Sequence, residues 1–302
     1  MIVRAAVCSR YGQPEVMKVA EVKKPIPKKN QVLIKVECAS VSSGDARMRS
    51  MDIPKWMKPI YRLIIGIKRP RKAILGSQYA GIVDSVGDFV SKFKVGDEVF
   101  GITGMQFGCY AEYICVKEGS VISKKPSNIS FEQTVPISFG AMTALHILRT
   151  GKIKAGEEVL IYGASGSVGT YAIQIAKALG AKVIAVCSEH NHELVKSLGA
   201  DEVIDYHVKD FRTASKKYDV IFDAVGKIKK KECLNVLTIN GRYLSVEKMT
   251  TETLEKLDYL KQMAEEKRLI TVIDRVYPLS DIVEAHRYVD SGHKTGNVIL
   301  KI

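Results

Sequence analysis

Three glycines, Gly163, Gly166 and Gly169, stand in a stretch whose residue types suit the binding of an anion. An apolar run at 159–162 precedes them, and apolar residues then recur at helical spacing, at Val168, Tyr171, Ala172, Ile175, Ala176 and Leu179. This order predicts a buried strand, a tight turn and a helix. The first amides of a helix are unpaired and carry partial positive charge, so Gly166 would let a phosphate approach them closely.

The turn departs from the usual G-x-G-x-x-G pattern, because Ala164 stands where the first glycine is expected. A second apolar run at 181–187 completes a strand–helix–strand unit, which is the context that this motif requires. We therefore predict a dinucleotide on this turn, contacted by Tyr162, Gly163, Ala164, Ser165, Gly166, Ser167 and Val168. A strand-to-helix turn without a ligand is the alternative.

The residues at the end of the second predicted strand indicate which dinucleotide is favoured. About 20 positions past the glycines, an acidic residue would hold the ribose 2′-hydroxyl of NAD. This sequence has Cys187, Ser188, Glu189 and His190 there. Ser188 can hydrogen-bond a 2′-phosphate and His190 can add partial positive charge. The pattern predicts NADPH, and Glu189 is the feature that argues against it.

The charge balance and the cysteines limit the class of protein. The 302 residues contain 46 Lys and Arg against 33 Asp and Glu, a net charge of +13. This excess favours acidic ligands, including phosphorylated cofactors, anionic lipid and nucleic acid. The six cysteines form no C-x-x-C pair, which predicts buried reduced thiols. The segment 1–11 lacks the apolar core of a signal peptide, so we expect a cytoplasmic protein.

The segment Arg47–Lys72 mixes apolar and basic residues around Trp56. One interpretation is an anchor on a membrane surface, because this mixture favours anionic headgroups. The other is a flap that packs over the mouth of a cleft, with its charges in solvent. Three prolines in the segment break any long amphipathic helix, and the flap is therefore the favoured interpretation.

The order of predicted elements indicates an α/β protein. Residues 1–122 read as short strands separated by glycine-rich turns, with runs at Gln31–Cys38, Ala80–Val86, Glu98–Gly101 and Tyr110–Val116. Ser130 and Gln133 form a capping-box pattern ahead of a helix at 136–149. Strands and helices then alternate, with a helix near Cys233–Leu237 and a fifth strand at Arg242–Val246, which predicts a doubly wound parallel sheet of five strands. We expect domains at 1–122, 123–267 and 268–302.

The last predicted elements are a helix at Thr250–Lys267, a helix at Ser280–Val289 with Ser280 as its cap, and a strand at Asn297–Ile302. We expect the final helix and strand to return to the first domain.

Several stretches, in order along nearly the whole chain, resemble the zinc-free quinone oxidoreductase-like branch of the medium-chain dehydrogenase/reductase superfamily. They are RAAVCSRYGQPEVMKVAEV, PKKNQVLIKVECASVSSGDARMR, GSQYAGIVDSVG, KVGDEVFG, YGASGSVGTYAIQIAK, LGADEVIDY, YDVIFDAVG and HKTGNVILKI. The resemblance implies a GroES-like β-barrel domain, a Rossmann domain and a C-terminal return to the first domain.

The resemblance also implies further residues of the cofactor site. Residues matching Thr143, Tyr206, Asp223, Ala224 and Val225 line the dinucleotide in this family, and those matching Ser245 and Asn297 approach its nicotinamide end. It implies no zinc, because serines and a glutamine stand where zinc-dependent members have ligands, at Ser42 or Ser43 and at Gln78. A zinc site assembled from some of the six histidines is the alternative.

The implied activity is NADPH-dependent, zinc-independent transfer of hydride to a quinone or an α,β-unsaturated carbonyl. Without a metal, hydrogen bonds must stabilise the oxyanion that forms. We expect a cleft between the domains to bring Ser42, Asp45 and Gln78 near the reacting centre. Asp45 is the best-placed ionisable group, and a buried Asp that holds the Ser-Ser-Gly turn is the alternative for it.

Two other functions and the oligomeric state stay open. An enoyl-thioester reductase is the close alternative, and an NADPH-dependent protein that binds nucleic acid or a membrane surface is the alternative from another class. Relatives carry about two dozen further residues after the fifth Rossmann strand, whereas here Val246 is followed almost at once by the helix at Thr250–Lys267. Because the sheet would end on its fifth strand, we expect a monomer or an altered dimer.

Overall fold

The computed structural model of the chain describes residues 1–53 and 57–302, and its packing divides them into two compact units. The first unit contains Met1–Ser138 and Ile273–Ile302. The second contains Phe139–Val272.

The N-terminal part of the first unit is built mainly of antiparallel strands. These are β1 (Ile2–Cys8), β2 (Met17–Lys23), β3 (Gln31–Val41), β4 (Gln78–Val86), β5 (Glu98–Ile102), β6 (Tyr113–Lys117) and β7 (Val121–Lys124). The helices described in it are α1 (Ser43–Ser50), α2 (Lys58–Ile65) and α3 (Phe131–Thr134). β1 pairs with β2, and β3 pairs with both β4 and β6. The β-rich character predicted for residues 1–122 is confirmed.

The centre of this unit is the apolar side of β3. Val32, Ile34 and Val36 are buried and Lys35 between them is exposed, whereas Leu33 on the other side of the strand is buried as well. The first three pack with buried residues of β4, β5 and α9, the last of which is a helix at Ile282–Asp290. The barrel-like sheet therefore has one core to which both ends of the chain contribute.

The second unit is a parallel sheet with helical connections. Its elements are α4 (Gly140–Thr150), β8 (Glu158–Tyr162), α5 (Ser167–Ala178), β9 (Lys182–Cys187), α6 (His192–Ser197), β10 (Glu202–Asp205), β11 (Tyr218–Asp223), α7 (Lys230–Cys233), β12 (Leu237–Ser245) and α8 (Leu254–Glu265). The strand order is β10-β9-β8-β11-β12, and all pairs are parallel. The five-stranded Rossmann-type sheet is confirmed. Its order reverses beside β8, where such sheets bind ligands at the carboxyl ends of the strands.

The fifth strand differs from its prediction in length. The helix expected around Cys233–Leu237 ends at Cys233, and β12 already begins at Leu237. In the described part of the chain β12 pairs only with β11, so it is an edge strand. The helix predicted at Thr250–Lys267 is the shorter α8, which begins after the side chain of Thr253 caps its first turn.

The end of the chain packs with the first unit. β13 (Ile273–Pro278) and β14 (Asn297–Lys301) join the sheet of the first unit, where β14 runs antiparallel to β3. The cap predicted at Ser280 is wrong, because a short 3₁₀ turn occupies 279–281 and α9 begins only at Ile282. The Ser280 hydroxyl donates to the Asp281 carboxylate instead of accepting from the helix.

The two units divide at residue 138, whereas the sequence suggested residue 122. β7 extends to Lys124 and pairs with β5, and α3 packs on β3 and β4. The predicted capping box of α3 is confirmed, with Ser130 and Gln133 bonding reciprocally. Residues 123–138 therefore pack with the first unit, and residues 268–272 pack with the second.

Candidate active site

The turn between β8 and α5 requires glycine at its first position. Gly163 has a φ of +76°, a conformation that residues with a side chain rarely adopt. A Cβ there would also lie 2.5 Å from Cγ1 of Val225. The turn and the loop after β11 are therefore in direct contact, and Ala164 behind them is fully buried.

Gly169 and Gly166 lack side chains for different reasons. A Cβ on Gly169 would lie 2.2 Å from the carbonyl oxygen of Gly163, so close packing of α5 on the turn excludes any larger residue. Gly166 has an ordinary extended conformation, and a Cβ there would meet only the Gly163 oxygen at 3.4 Å. The packing of the protein thus leaves one side of Gly166 open. A ligand that binds close to the main chain of the turn would need this space.

The start of α5 suits an anion. The helix is 12 residues long and Gly166 is its N-cap, so no side chain at that position accepts from the first turn. The amides of Val168 and Gly169 lie in that turn, where the helix dipole adds partial positive charge. On α4, the hydroxyl of Thr143 is buried and has no hydrogen-bond partner in the described part of the chain.

The loop after β11 is held by one buried carboxylate. Asp223 accepts hydrogen bonds from the amides of Val225 at 3.1 Å, Gly226 at 2.8 Å and Ile228 at 3.0 Å. The amide of Ala224 donates to the carbonyl of Tyr162, which ties the loop to the end of β8. These bonds fix the residues that face the glycine turn.

Polar side chains at the end of β9 are connected through Asn191. Its amide nitrogen donates to the hydroxyl of Ser188 at 3.3 Å and lies 3.0 Å from Nε2 of His190. Asn191 is buried, whereas His190 is exposed. Burial raises the pKa of the preceding Cys187 to about 11, so this thiol is neutral and does not repel an anion. The arrangement presents the hydroxyl and the imidazole side by side.

Two further predicted residues lie at the same end of the sheet. Tyr206 directly follows β10 and is about half exposed, with its ring in tilted contact with that of His207. Ser245 ends β12, is buried, and accepts a hydrogen bond from the amide of Glu247. The predicted cofactor residues of the second unit therefore follow the carboxyl ends of its strands, apart from Thr143 on α4.

In the first unit, three predicted residues lie at one end of the large sheet, which is the sheet that contains β3, β4 and β14. Val298 of β14 pairs with Val41 of β3, which places Asn297 beside Ser42 just past the end of that ladder. Gln78 begins β4, the other neighbour of β3, and is buried. Sequence spacing alone did not indicate this meeting, because it depends on the return of the C-terminal strand.

Asp45 is engaged with the start of α1. Its carboxylate accepts from the Ser42 hydroxyl at 2.6 Å and from the Ser42 amide at 2.9 Å, and the Ser42 hydroxyl accepts in turn from the Asp45 amide. Burial raises the pKa of Asp45, and bonds from Ser42 and the Tyr110 hydroxyl oppose that rise. This geometry fits the structural alternative for Asp45, in which it holds the Ser-Ser-Gly turn.

Comparison with known proteins reveals what these two units are. The family model described as alcohol dehydrogenase GroES-like domain matches residues 28–127, and the one described as zinc-binding dehydrogenase matches residues 167–278. Quinone oxidoreductase of Sus scrofa is 34% identical over 96% of this chain and 95% of its own length. The chain belongs to the medium-chain dehydrogenase/reductase superfamily. Within that superfamily its relatives place it in the quinone oxidoreductase branch.

Two further relatives of the branch match over most of the chain. The chloroplastic NADPH-dependent alkenal/one oxidoreductase of Arabidopsis thaliana is 32% identical over 98% of this chain and 79% of its own length. The solved quinone oxidoreductase from Coxiella burnetii matches all of both chains with a TM-score of 0.89 at 30% identity.

Membership of this superfamily does not by itself show whether the chain has zinc ligands. In residues 1–53 and 57–302, no group of three or more His, Cys, Asp or Glu side chains is arranged to hold a metal ion. Ser42 and Gln78 lie at the sheet end described above, and neither is a good zinc ligand. The six cysteine sulfurs are unpaired, and all but Cys115 are buried.

Two residues that shape the candidate cofactor site were missed by the sequence analysis. Asn191 was not considered, since a single Asn in a polar run carries no signal of burial. Asp223 was considered only as a residue lining the dinucleotide, whereas it anchors the whole loop. A buried-strand pattern that ends in Asp and is followed by small residues was the one available hint.

Proposed function

We propose that the second unit binds NADPH and that the protein reduces quinones or α,β-unsaturated carbonyls without zinc. The observation that carries this proposal is the open side of Gly166 at the uncapped start of α5. The similarity over nearly the whole chain to proteins named quinone oxidoreductase and NADPH-dependent alkenal/one oxidoreductase supports the reaction class.

The cofactor contacts follow from the chemistry of the residues present. The amides of Ser167 and Val168 at the start of α5 would hold the pyrophosphate, because those of Gly163 and Ala164 already donate to the carbonyl of Val186. The Thr143 hydroxyl, which has no partner among the described residues, would gain one. Ser188 and His190 would hold the 2′-phosphate, with Asn191 positioning both. When bound, the nicotinamide supplies the hydride.

Glu189, the acidic residue between Ser188 and His190 in the sequence, lines a cavity that these two residues do not line. This cavity of about 470 Å³ lies against β10, and its lining includes His192 and Asp205. A carboxylate directed toward that cavity repels a 2′-phosphate at Ser188 less than one beside it. This supports NADPH over NADH.

The residues at the end of the large sheet would serve the substrate. Negative charge develops on the carbonyl oxygen of a quinone or enone when it accepts hydride, and hydrogen-bond donors stabilise it. The amide of Gln78 is the best donor for this role, because the hydroxyl of Ser42 is already bonded to Asp45. Asp45 then acts by positioning Ser42 and α1.

The proposal extends to the oligomeric state, which depends on the exposed edge of the parallel sheet. β12 is an edge strand, and Ile239 on it is fully exposed. We expect a monomer or a dimer built differently from one that uses a sixth strand, and sedimentation of the purified chain checks this. A cytoplasmic location, where thiols stay reduced, fits the six unpaired cysteines.

The test is NADPH oxidation measured with a quinone, an enone, an enoyl thioester and a saturated aldehyde as separate substrates. We expect turnover of the quinone or the enone, preference for NADPH over NADH, and activity unchanged by a chelator. Loss of activity on chelation with recovery on adding zinc would refute the zinc-free mechanism, and preference for the thioester would favour the enoyl reductase.

A further inference from the structure

An apolar stripe faces solvent on α2 and the turn that follows it. It consists of Ile60, Leu63, Ile64 and Ile67, which are between 55% and 68% exposed. The spacing of Ile60, Leu63 and Ile64 sets them on one side of the helix, and Ile67 follows two residues after its end. Four large aliphatic side chains together in water are a sign of an interaction site rather than of ordinary surface.

Six cations belong to the same segment of chain as the stripe. They are Lys58, Arg62, Lys68, Arg69, Arg71 and Lys72, and no Asp or Glu occurs between the first and the last of them. Among the residues that the structure describes, none of the six forms an ion pair. The surface is therefore both apolar and strongly positive.

Contacts at the C-terminal end of α2 anchor the helix. Ile65 is buried in the first unit, and the Tyr11 hydroxyl donates to the carbonyl of Gly66 at 2.9 Å. The backbone amide of Arg71 donates to the carbonyl of Ile65 at 2.7 Å, and the guanidinium of Arg71 donates to the carbonyl of Leu63 at 2.7 Å. The stripe is thus displayed on an anchored helix.

The prolines of this segment do not prevent the helix. Pro59 lies in the first turn of α2, where proline is tolerated, and Pro70 follows its end. The prediction that prolines prevent a long helix in this segment agrees with the length of α2, which is eight residues. That prediction did not consider a short amphipathic helix. Pro54 and Trp56, on which part of the same interpretation depended, lie outside the described residues.

We propose that this surface docks on an anionic lipid bilayer. Aliphatic side chains that enter the headgroup boundary and cations that meet anionic headgroups are the two contributions such binding needs. A nucleic acid would use the cations and leave the stripe in water. A second copy of the chain would bring six cations against six. The lipid surface alone satisfies both parts of the patch.

A cavity beside the stripe suggests why docking would matter. It has a volume of about 170 Å³, and its lining is mostly apolar, including Ile64, Ile65, Met48, Leu75 and Phe107, with Arg71 and Lys72 as the charged members. An apolar cavity of this size class admits a six-membered ring. Ile64 belongs to both the stripe and the cavity, so a lipid-dissolved quinone would pass from the bilayer along it. This substrate class rests on the proposed function, whereas the docking does not.

The experiment is flotation of the full chain with vesicles of phosphatidylcholine, with and without phosphatidylserine. We expect binding only to the anionic vesicles, and weakening as salt rises. Leu63→Ser with Ile67→Ser, and separately Lys68→Glu with Arg69→Glu, should each lower the bound fraction about tenfold or more. None of these four residues lines the cavity.

Matched controls separate the patch from general surface character. Ile26→Ser with Val95→Ser removes two other exposed aliphatic side chains, and Lys227→Glu with Lys230→Glu makes the same charge change elsewhere. Both controls should bind like the unmodified chain. Equal binding to neutral vesicles, or equal loss in the controls, overturns the proposal.

The remaining outcomes distinguish other occupants and the two proposals. Binding of an RNA oligomer that Lys68→Glu with Arg69→Glu abolishes, without vesicle binding, overturns the lipid surface in favour of nucleic acid. A change in sedimentation of Leu63→Ser with Ile67→Ser, without vesicle binding, favours a second copy. Reduction of a water-soluble enone by the docking variants at the unmodified rate shows that the proposed function stands even where docking fails.

Discussion

The carboxylate of Asp45 and the hydroxyl of Ser42 lie 2.6 Å apart, and each side chain also bonds the backbone amide of the other. This reciprocal arrangement stabilises the first turn of α1. It also engages the hydroxyl proton of Ser42 and one carboxylate oxygen of Asp45.

We expect Asp45→Asn to lower the free energy of unfolding by about 1 kcal/mol and to change kcat less than tenfold, because the residue caps a helix. Burial raises the pKa of Asp45, so the stability it contributes is greatest below the unfolded value near 3.8 and falls as pH rises. Urea unfolding at several pH values and steady-state kinetics measure both. A loss of kcat by about 100-fold at unchanged stability would instead assign proton transfer to Asp45.

Gly166→Ala should weaken NADPH binding about tenfold or more without harming the fold. The added Cβ meets only an ordinary contact at 3.4 Å, so the free energy of unfolding should change by less than about 0.5 kcal/mol. Fluorescence titration and urea unfolding measure the two quantities. Gly169→Ala is the contrast: its Cβ would lie 2.2 Å from a carbonyl oxygen, and we expect a loss of about 2 kcal/mol or more. Unchanged NADPH affinity in Gly166→Ala would contradict the proposed site.

His190→Ala should reduce affinity for NADPH about tenfold and leave affinity for NADH nearly unchanged, because only the former carries the 2′-phosphate. Asn191→Ala should produce a smaller change of the same kind, since it acts by positioning Ser188 and His190. The ratio of the two dissociation constants is the measurement. His293→Ala, an exposed histidine of the first unit, is the control. Equal losses for both coenzymes would point to a structural effect.

His286 should make the fold sensitive to acid. Neither ring nitrogen has a partner in the described residues, and burial together with the nearby Arg49 lowers the pKa to about 3. Below pH 6.5 His286 is protonated in the unfolded chain and stays neutral in the folded one. The free energy of unfolding therefore falls as pH drops towards 3. The contribution is at most about 5 kcal/mol.

His286→Phe should therefore raise the free energy of unfolding at pH 7 and flatten its decline on acidification. The ring of Tyr110 lies edge-on at 5.8 Å and can contact a phenyl ring similarly. Denaturant unfolding at neutral and acid pH, with His293→Phe as the exposed control, checks this. An unchanged pH profile would mean that His286 is solvated.

Much of the second unit was readable from local patterns. The apolar run at 159–162, the glycines at 163, 166 and 169 and the helical spacing after them are each short-range features, and each was confirmed in the structure. The number of strands also followed, because every buried parallel strand leaves an apolar run. Boundaries such as the start of β12 or the cap of α9 were wrong, since weak local preferences compete there.

The partners of individual side chains depended on the tertiary structure. Asn297 reaches Ser42 only because β14 returns to β3, and Ile65 of α2 is buried while its neighbour Ile64 faces solvent. Periodicity determines that a segment forms a helix or a strand, because that depends on residues a few positions apart. Which face is covered, and which hydrogen-bonding group meets which, depends on segments distant in the chain, and only packing decides that.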